Sequence, residues 1–172
     1  MKKLIFILIV SAIYAACTDK PASEAATASA SSVSLPYTAT YTKLSIGKDS
    51  NILAVLNNYK AWETGDMDAF KNTWGDSVTV YFSGGDKFHG SRDSVMYYAS
   101  KYRDSLSKVE FKMDAFVPLH SDDKNEDWVM VWYTEIDTHK DGKVDSAYYQ
   151  DDNMIDKDGK IVYTDSHKRV LK

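Results

Sequence analysis

Hydrophobic and polar positions divide the chain into three stretches. Lys2 and Lys3 precede an unbroken apolar run, Leu4 to Val10, which ends in Ser11-Ala-Ile-Tyr-Ala-Ala16 and Cys17. Residues 18 to 45 carry little apolar character, and Ala22 to Val33 is mostly Ala, Ser and Thr. From residue 46 onward two periodicities alternate. Ile52, Val55, Tyr59 and Trp62 fall at helical spacing after Asp49 or Ser50 as a cap, and Gly65 stops that helix. Asp66 caps a second, shorter helix carrying Met67, Phe70 and Trp74, stopped by Gly75. Ser77 to Ser83 is β-branched and aromatic, the mark of a strand, and Gly84-Gly85-Asp86 turns it so that Lys87 to His89 can pair back. Ser91 caps a third helix with Val95, Tyr98, Tyr102 and Leu106 on one face.

The remaining third alternates with a period of two. Val109, Phe111, Met113, Ala115, Val117 and Leu119 share one face of Lys108 to His120. Asp127 to Thr138 places Trp128, Met130, Trp132, Thr134 and Ile136 on one face, and Val129, Val131 and Tyr133 on the other. Both faces are apolar, which predicts a strand covered on both sides. Asp141-Gly142 and Asp158-Gly159 are hairpin turns bounding strands Val144 to Asp156 and Ile161 to Leu171. Three helices with a strongly antiparallel sheet make an α+β layout, the helices packed on one sheet face.

The first stretch has the charged start and short apolar core of a secretory leader, too short to span a bilayer. Residues 1–16 are read as a signal peptide. Residues 17–45 are read as a lipidated Cys17 followed by a flexible tether, because so polar a segment buries too little to order itself. Residues 46–172 form the folded domain. Cys17 is the only cysteine, so no internal disulfide is possible, and acyl attachment gives an exported lone thiol a role. Tyr14 stands where a lipoprotein cleavage site usually has Leu, Val or Ile. The expected location is the bacterial envelope, lipid-anchored at the outer membrane or periplasmic face.

Charge and composition narrow the function. The 172 residues hold 21 Lys+Arg against 25 Asp+Glu, a formal net charge of −4, and Lys2 and Lys3 leave with the leader. An acidic chain without a basic run argues against nucleic acid. His89, His120, His139 and His167 are scattered, with no metal-ligand spacing, so no metal and no cofactor are expected. Asp156-Lys-Asp-Gly-Lys-Ile161 fails the calcium-loop pattern at its ends and reads as a hairpin. Glycine-rich phosphate loops and nucleophile elbows are lacking from the sequence.

The order of elements, with the phrases Tyr59-Lys-Ala-Trp-Glu-Thr-Gly-Asp66, Trp74-Gly-Asp-Ser-Val-Thr-Val80, Phe88-His-Gly-Ser-Arg-Asp93 and Asp158-Gly-Lys-Ile161, resembles the nuclear transport factor 2-like superfamily, SnoaL-like branch. The resemblance spans residues 49–172. It implies a cone, a curved sheet wrapped around the helices with a pocket at its open end, and homodimers formed through the outer sheet face. Alignment with the ketosteroid isomerases of that superfamily puts their donor aspartate on Asp151, their base on Phe82 and their tyrosine near Asn58 or Tyr59. Phenylalanine accepts no proton, so steroid-type isomerisation is excluded. The same alignment points Trp132, Thr134 and Ile136 inward with Tyr149, Asp151 and Asn153, and makes Trp62 and Tyr98 their neighbours.

The expected site is therefore an aromatic-lined pocket of Trp62, Phe82, Tyr98, Trp132, Thr134, Tyr149 and Asn153, with Asp151 as a carboxyl of raised pKa. The leading reading is binding of a small, largely apolar ligand. One alternative is a cofactor-free isomerase, hydrolase or dehydratase using Asp151 with Tyr98 or Tyr149. Another is an interaction module whose outer sheet face, including Val129, Val131 and Tyr133, mediates dimerisation or docking.

Overall fold

The computed structural model describes residues 36–170. Cys17, the leader and most of the expected tether lie outside the described residues, as do Leu171 and Lys172. A compact unit starts at Ala39. The elements run β1 (Leu44–Ile46), α1 (Asp49–Thr64), α2 (Met67–Asn72), β2 (Trp74–Tyr81), β3 (Lys87–Ser91), α3 (Arg92–Ser105), β4 (Leu106–Ser121), β5 (Glu126–His139), β6 (Val144–Ile155) and β7 (Ile161–Val170).

Seven strands form one sheet in the order β1-β4-β5-β6-β7-β2-β3. Every pairing is antiparallel except β2 with β7, which is parallel, so the expected antiparallel sheet is a mixed one. The expected tether boundary at residue 45 also moves. Leu44 to Ile46 pair with Ser121 to Leu119 of β4, the Tyr41 hydroxyl donates to Glu126, and Thr42 donates through its N–H and hydroxyl to Asp123. These bonds enlist backbone that the apolar pattern alone leaves loose.

The helices lie on the concave side of the sheet. The core joins Val55, Tyr59 and Ala61 of α1 and Phe70 of α2 to Val95 and Met96 of α3, and all of these to Val129, Val131 and Tyr133 of β5. Val129 and Val131 are fully buried. The outer-face docking role expected for Val129, Val131 and Tyr133 is therefore overturned: they are the floor under the helices. The other face of β5, with Trp128, Met130, Trp132 and Thr134, is half-buried.

Helix boundaries follow local chemistry with three departures, one of them Leu106, which opens β4 instead of extending the α3 stripe. Lys48 precedes α1 in extended conformation without a side-chain cap, so neither Asp49 nor Ser50 serves as cap; Asp49 lies in the first turn, where a carboxylate suits the helix dipole. Gly65 ends α1 at φ +75°, with its N–H on the Trp62 carbonyl and the Asp66 N–H on the Ala61 carbonyl, the paired bonds of a Schellman motif. Asp66 and Ser91 cap α2 and α3 as expected, accepting from the N–H of Ala69 and Ser94. The third departure is Trp74. Helix α2 stops at Asn72, and Trp74 opens β2 opposite Ile161, because the Ile161 N–H takes the Thr73 carbonyl.

The β5–β6 hairpin decides which residues face the helices. A two-residue Asp141-Gly142 turn would set Trp132 opposite Asp151. Instead the loop holds three residues, Lys140 to Gly142, closed by the His139 N–H on the Lys143 carbonyl, with Gly142 left-handed at φ +87°. That one-residue change exchanges the two faces. Tyr133 now sits opposite Tyr149 and Val131 opposite Asp151, while Trp132 pairs with Gln150 and Thr134 with Tyr148. A bulge at Asp114 similarly breaks the single alternation expected along β4. Beyond it Phe116 and Pro118 stand opposite Val131 and Val129, and Ala115, Val117 and Leu119 pass to the other face.

Candidate functional site

A cavity of about 520 Å³ lies between the helices and the concave sheet face. Its walls are mainly aromatic. Tyr59 and Trp62 come from α1, Phe70 from α2, Tyr98 and Tyr102 from α3, Phe111 from β4, Tyr133 from β5 and Tyr149 from β6. The rings interlock. Tyr133 stacks on Tyr149 (5.4 Å between centroids, 13° between planes), Tyr59 and Phe111 each meet Tyr133 edge-on, and Trp62 lies parallel to Tyr102 at 6.2 Å. Arg103 holds Trp62 in place from behind. Its Nε donates to the Trp62 carbonyl and one terminal nitrogen to the Glu63 carbonyl, joining the end of α1 to α3.

Of the expected pocket residues, Trp62, Phe82, Tyr98 and Tyr149 line the cavity. Phe82 and Tyr98 are exposed at its mouth, with Phe82 just past the end of β2. Trp132 and Thr134 do not line it; the three-residue hairpin puts them on the opposite sheet face. Asn153 does not line it either. It is buried among the strands, donating to the Val129 carbonyl and accepting from the Thr164 hydroxyl.

Asp151 is also corrected. It sits beneath the cavity wall, 5 % exposed, with Oδ2 accepting from the hydroxyls of Tyr59 (2.6 Å) and Tyr133 (2.8 Å). Of the two positions that the resemblance offered for a tyrosine, Tyr59 donates to Asp151, and the Asn58 amide donates to Thr73. Burial pushes the Asp151 carboxyl up, and the two tyrosines and the facing Ser166 pull the other way. Asp151 itself does not line the cavity, whereas its partners Tyr59 and Tyr133 do. Tyr98, the partner suggested for it, stands at the mouth.

The carboxyls that reach the cavity are Glu135 and Asp137, neither of them foreseen from the sequence. Both lie on the β5 face that carries Tyr133. Glu135 accepts from the Trp62 indole N–H at 3.2 Å and Asp137 from the Tyr102 hydroxyl at 2.9 Å. Burial, reinforced by the Asp137 charge, pushes Glu135 up to about 8. Burial raises Asp137 too, opposed by Tyr102 and by the more distant charges of His139, Lys168 and Arg103. A carboxyl that keeps its proton at neutral pH can donate a hydrogen bond, and once ionised it can accept one or pair with a cation. Glu-x-Asp on a strand was the available signal: residues two apart share a face, so the parity that admits Tyr133 admits both acids.

A smaller polar recess adjoins the cavity, shared by Tyr102, Glu135, Asp137 and Tyr149 and including Asp145 and Lys168. Among the described residues no group of three His, Cys, Asp or Glu side chains gathers to hold a metal.

No family model matches the chain, and no curated protein matches it. Solved structures do. A nuclear transport factor 2-like protein of unknown function from Exiguobacterium sp. 255-15 superposes with a TM-score of 0.57 at 16 % identity, over 67 % of this chain and 98 % of that one. An LEH-like epoxide hydrolase from Mycobacterium tuberculosis gives 0.60 at 13 % identity, over 70 % and 84 %. Another M. tuberculosis protein, solved in complex with estradiol-17beta-hemisuccinate, gives 0.56 at 8 % identity, over 68 % and 92 %. Identities this low speak to architecture alone. The curved, unclosed sheet and the helices on its concave side are the α+β cone of the nuclear transport factor 2-like fold.

Proposed function

We propose that this domain is a receptor for a small, largely apolar molecule, and that Cys17 tethers it by lipid to the bacterial envelope. The preformed cavity of about 520 Å³, walled chiefly by aromatic rings, carries the reading. Sites for small molecules are concave, mostly apolar and few per protein, with a small number of placed polar groups. Here those groups are Glu135 and Asp137. A neighbour in fold holds a steroid ester, which supports the use of such a cone for apolar ligands.

Native mass spectrometry of the gently purified protein should detect a co-purifying small molecule. Ala99 lines the cavity from α3, and Ala99→Trp fills part of that space. The variant should lose the molecule while keeping its circular dichroism. Retention of the same molecule by a folded Ala99→Trp protein would place the binding site elsewhere. The envelope assignment has its own test. Cys17→Ser should move the protein from the membrane fraction to the soluble one, and unchanged fractionation would refute lipid anchoring.

A further inference from the structure

Two carboxyls and no Lys, Arg or His line the aromatic cavity. Asp137 is 8 % exposed, and its Oδ1 has no hydrogen-bond partner among the described residues, although Oδ2 takes the Tyr102 hydroxyl. Among the described residues Glu135 is bonded only through Oε1, to the Trp62 indole. Trp62 and Tyr102 meet the acid pair with an indole N–H and a hydroxyl, and the Tyr149 ring borders the same recess, so the free carboxyl oxygens open into aromatic surroundings. A cation already accompanies Tyr149: the Lys168 ammonium lies over that ring at 5.5 Å from its centroid, in the adjoining recess. Lys168 lowers the cost of charging Glu135 and Asp137, and among the described residues it makes no ion pair with either.

We propose that the cavity selects an apolar molecule bearing a protonated amine, its nitrogen held by Glu135 and Asp137 among Trp62, Tyr102 and Tyr149. This rests on the receptor reading and names the chemical class of its ligand. The apolar body occupies the part of the cavity lined by Phe70, Phe111 and Val95, and the ammonium supplies the positive charge that the acid pair lacks. Specificity then comes from the charge, since only a cation pairs with these carboxyls when they ionise and an anionic analogue is repelled by them. Binding also changes protonation. Glu135 faces the charges of Asp137, Asp151 and Lys168 and the N–H of Trp62, and burial raises its carboxyl to about 8 in the free protein. An arriving ammonium favours the ionised form, so the proton leaves to buffer as the amine enters.

The test uses three probes of one shape: naphthylethylamine, naphthylethanol and naphthylacetate. Isothermal titration calorimetry at pH 7 reads affinity, and repeating it in buffers of different ionisation enthalpy reads proton release. Protein-observed NMR reports whether a probe occupies the cavity. The amine should bind at least about tenfold more tightly than the alcohol, as a desolvated cation among aromatic rings does. The acetate should bind weakest, and the amine alone should release a proton. In a Glu135→Gln, Asp137→Asn double variant the amine-to-alcohol ratio should fall toward one. Alcohol or acetate binding as tightly as the amine would overturn the cation inference and leave the apolar receptor standing. If no probe, charged or neutral, occupies the cavity, the receptor reading falls and the inference with it.

Discussion

Replacing Asp151 by alanine is expected to cost the domain about 3–5 kcal/mol of folding stability, read from urea denaturation at pH 7. Two buried hydroxyls, on Tyr59 of α1 and Tyr133 of β5, end on the single oxygen Oδ2 of this β6 side chain. Removing it orphans both donors, and each unsatisfied buried group costs about 1–3 kcal/mol. The burial of the carboxyl is itself unfavourable, which offsets part of the loss. A companion variant separates the two contributions. Tyr59→Phe, Tyr133→Phe and Asp151→Leu together remove donors and acceptor alike, and should recover most of the stability lost in Asp151→Ala, as apolar replacement of a whole polar cluster does. A loss below about 1 kcal/mol for Asp151→Ala would show that the cluster does not hold α1 to the sheet.

The second large effect is a stability that rises on acidification. The Glu135 carboxyl ionises near 4.5 when unfolded and at about 8 in the folded protein. Between those values the native state binds the additional proton, so stability increases as pH falls from 8 and the gain is complete near 4.5. The slope approaches about 1.4 kcal/mol per pH unit. Over the interval from pH 8 to 5 the gain should be about 3 kcal/mol. Asp137 and Asp151, also raised by burial, act with the same sign. Glu63, Asp93, Asp123 and Asp145 act oppositely. Their carboxyls are lowered by hydrogen bonds, first among them those from Lys60, Lys71, Ser121 and Lys143, so their contribution is present above about pH 4 and lost below it. Stability should therefore peak near pH 4.5 to 5 and decline on either side. Glu135→Gln should flatten the alkaline limb and be more stable than the wild type at pH 8.5. Chemical denaturation across pH 4 to 9 measures both, and a wild-type stability that is flat or rising from pH 5 to 8 would contradict the burial of Glu135.

The local elements were legible because local chemistry makes them. The stripe Ile52, Val55, Tyr59 and Trp62, the left-handed Gly65, and the capping side chains Asp66 and Ser91 act within a turn or two of chain, and each marks a helix end that the structure reproduces. The alternation of β4 to β7 likewise needs only neighbouring side chains, and with the helix count it establishes an α+β fold. Trp62 and Tyr98, the cavity residues contributed by helices, were found through the family alignment, and both fall on the helical stripes read from the sequence.

Strand β5 has apolar residues on both faces, so its periodicity was silent about which face looks inward. The length of the β5–β6 loop, three residues rather than two, made that choice. It put Trp132 and Thr134 on one side and Tyr133, Glu135 and Asp137 on the other. Asp151 met its tyrosines, and the acid pair met the cavity, through pairings between residues far apart in the chain. Composition, helix positions and fold class were thus written in short-range preferences. The floor of the cavity, the concealment of Asp151 and the turning of Glu135 and Asp137 onto the cavity arose only when register and packing were set, because a one-residue shift in a hairpin exchanges every side chain between the two faces of a strand.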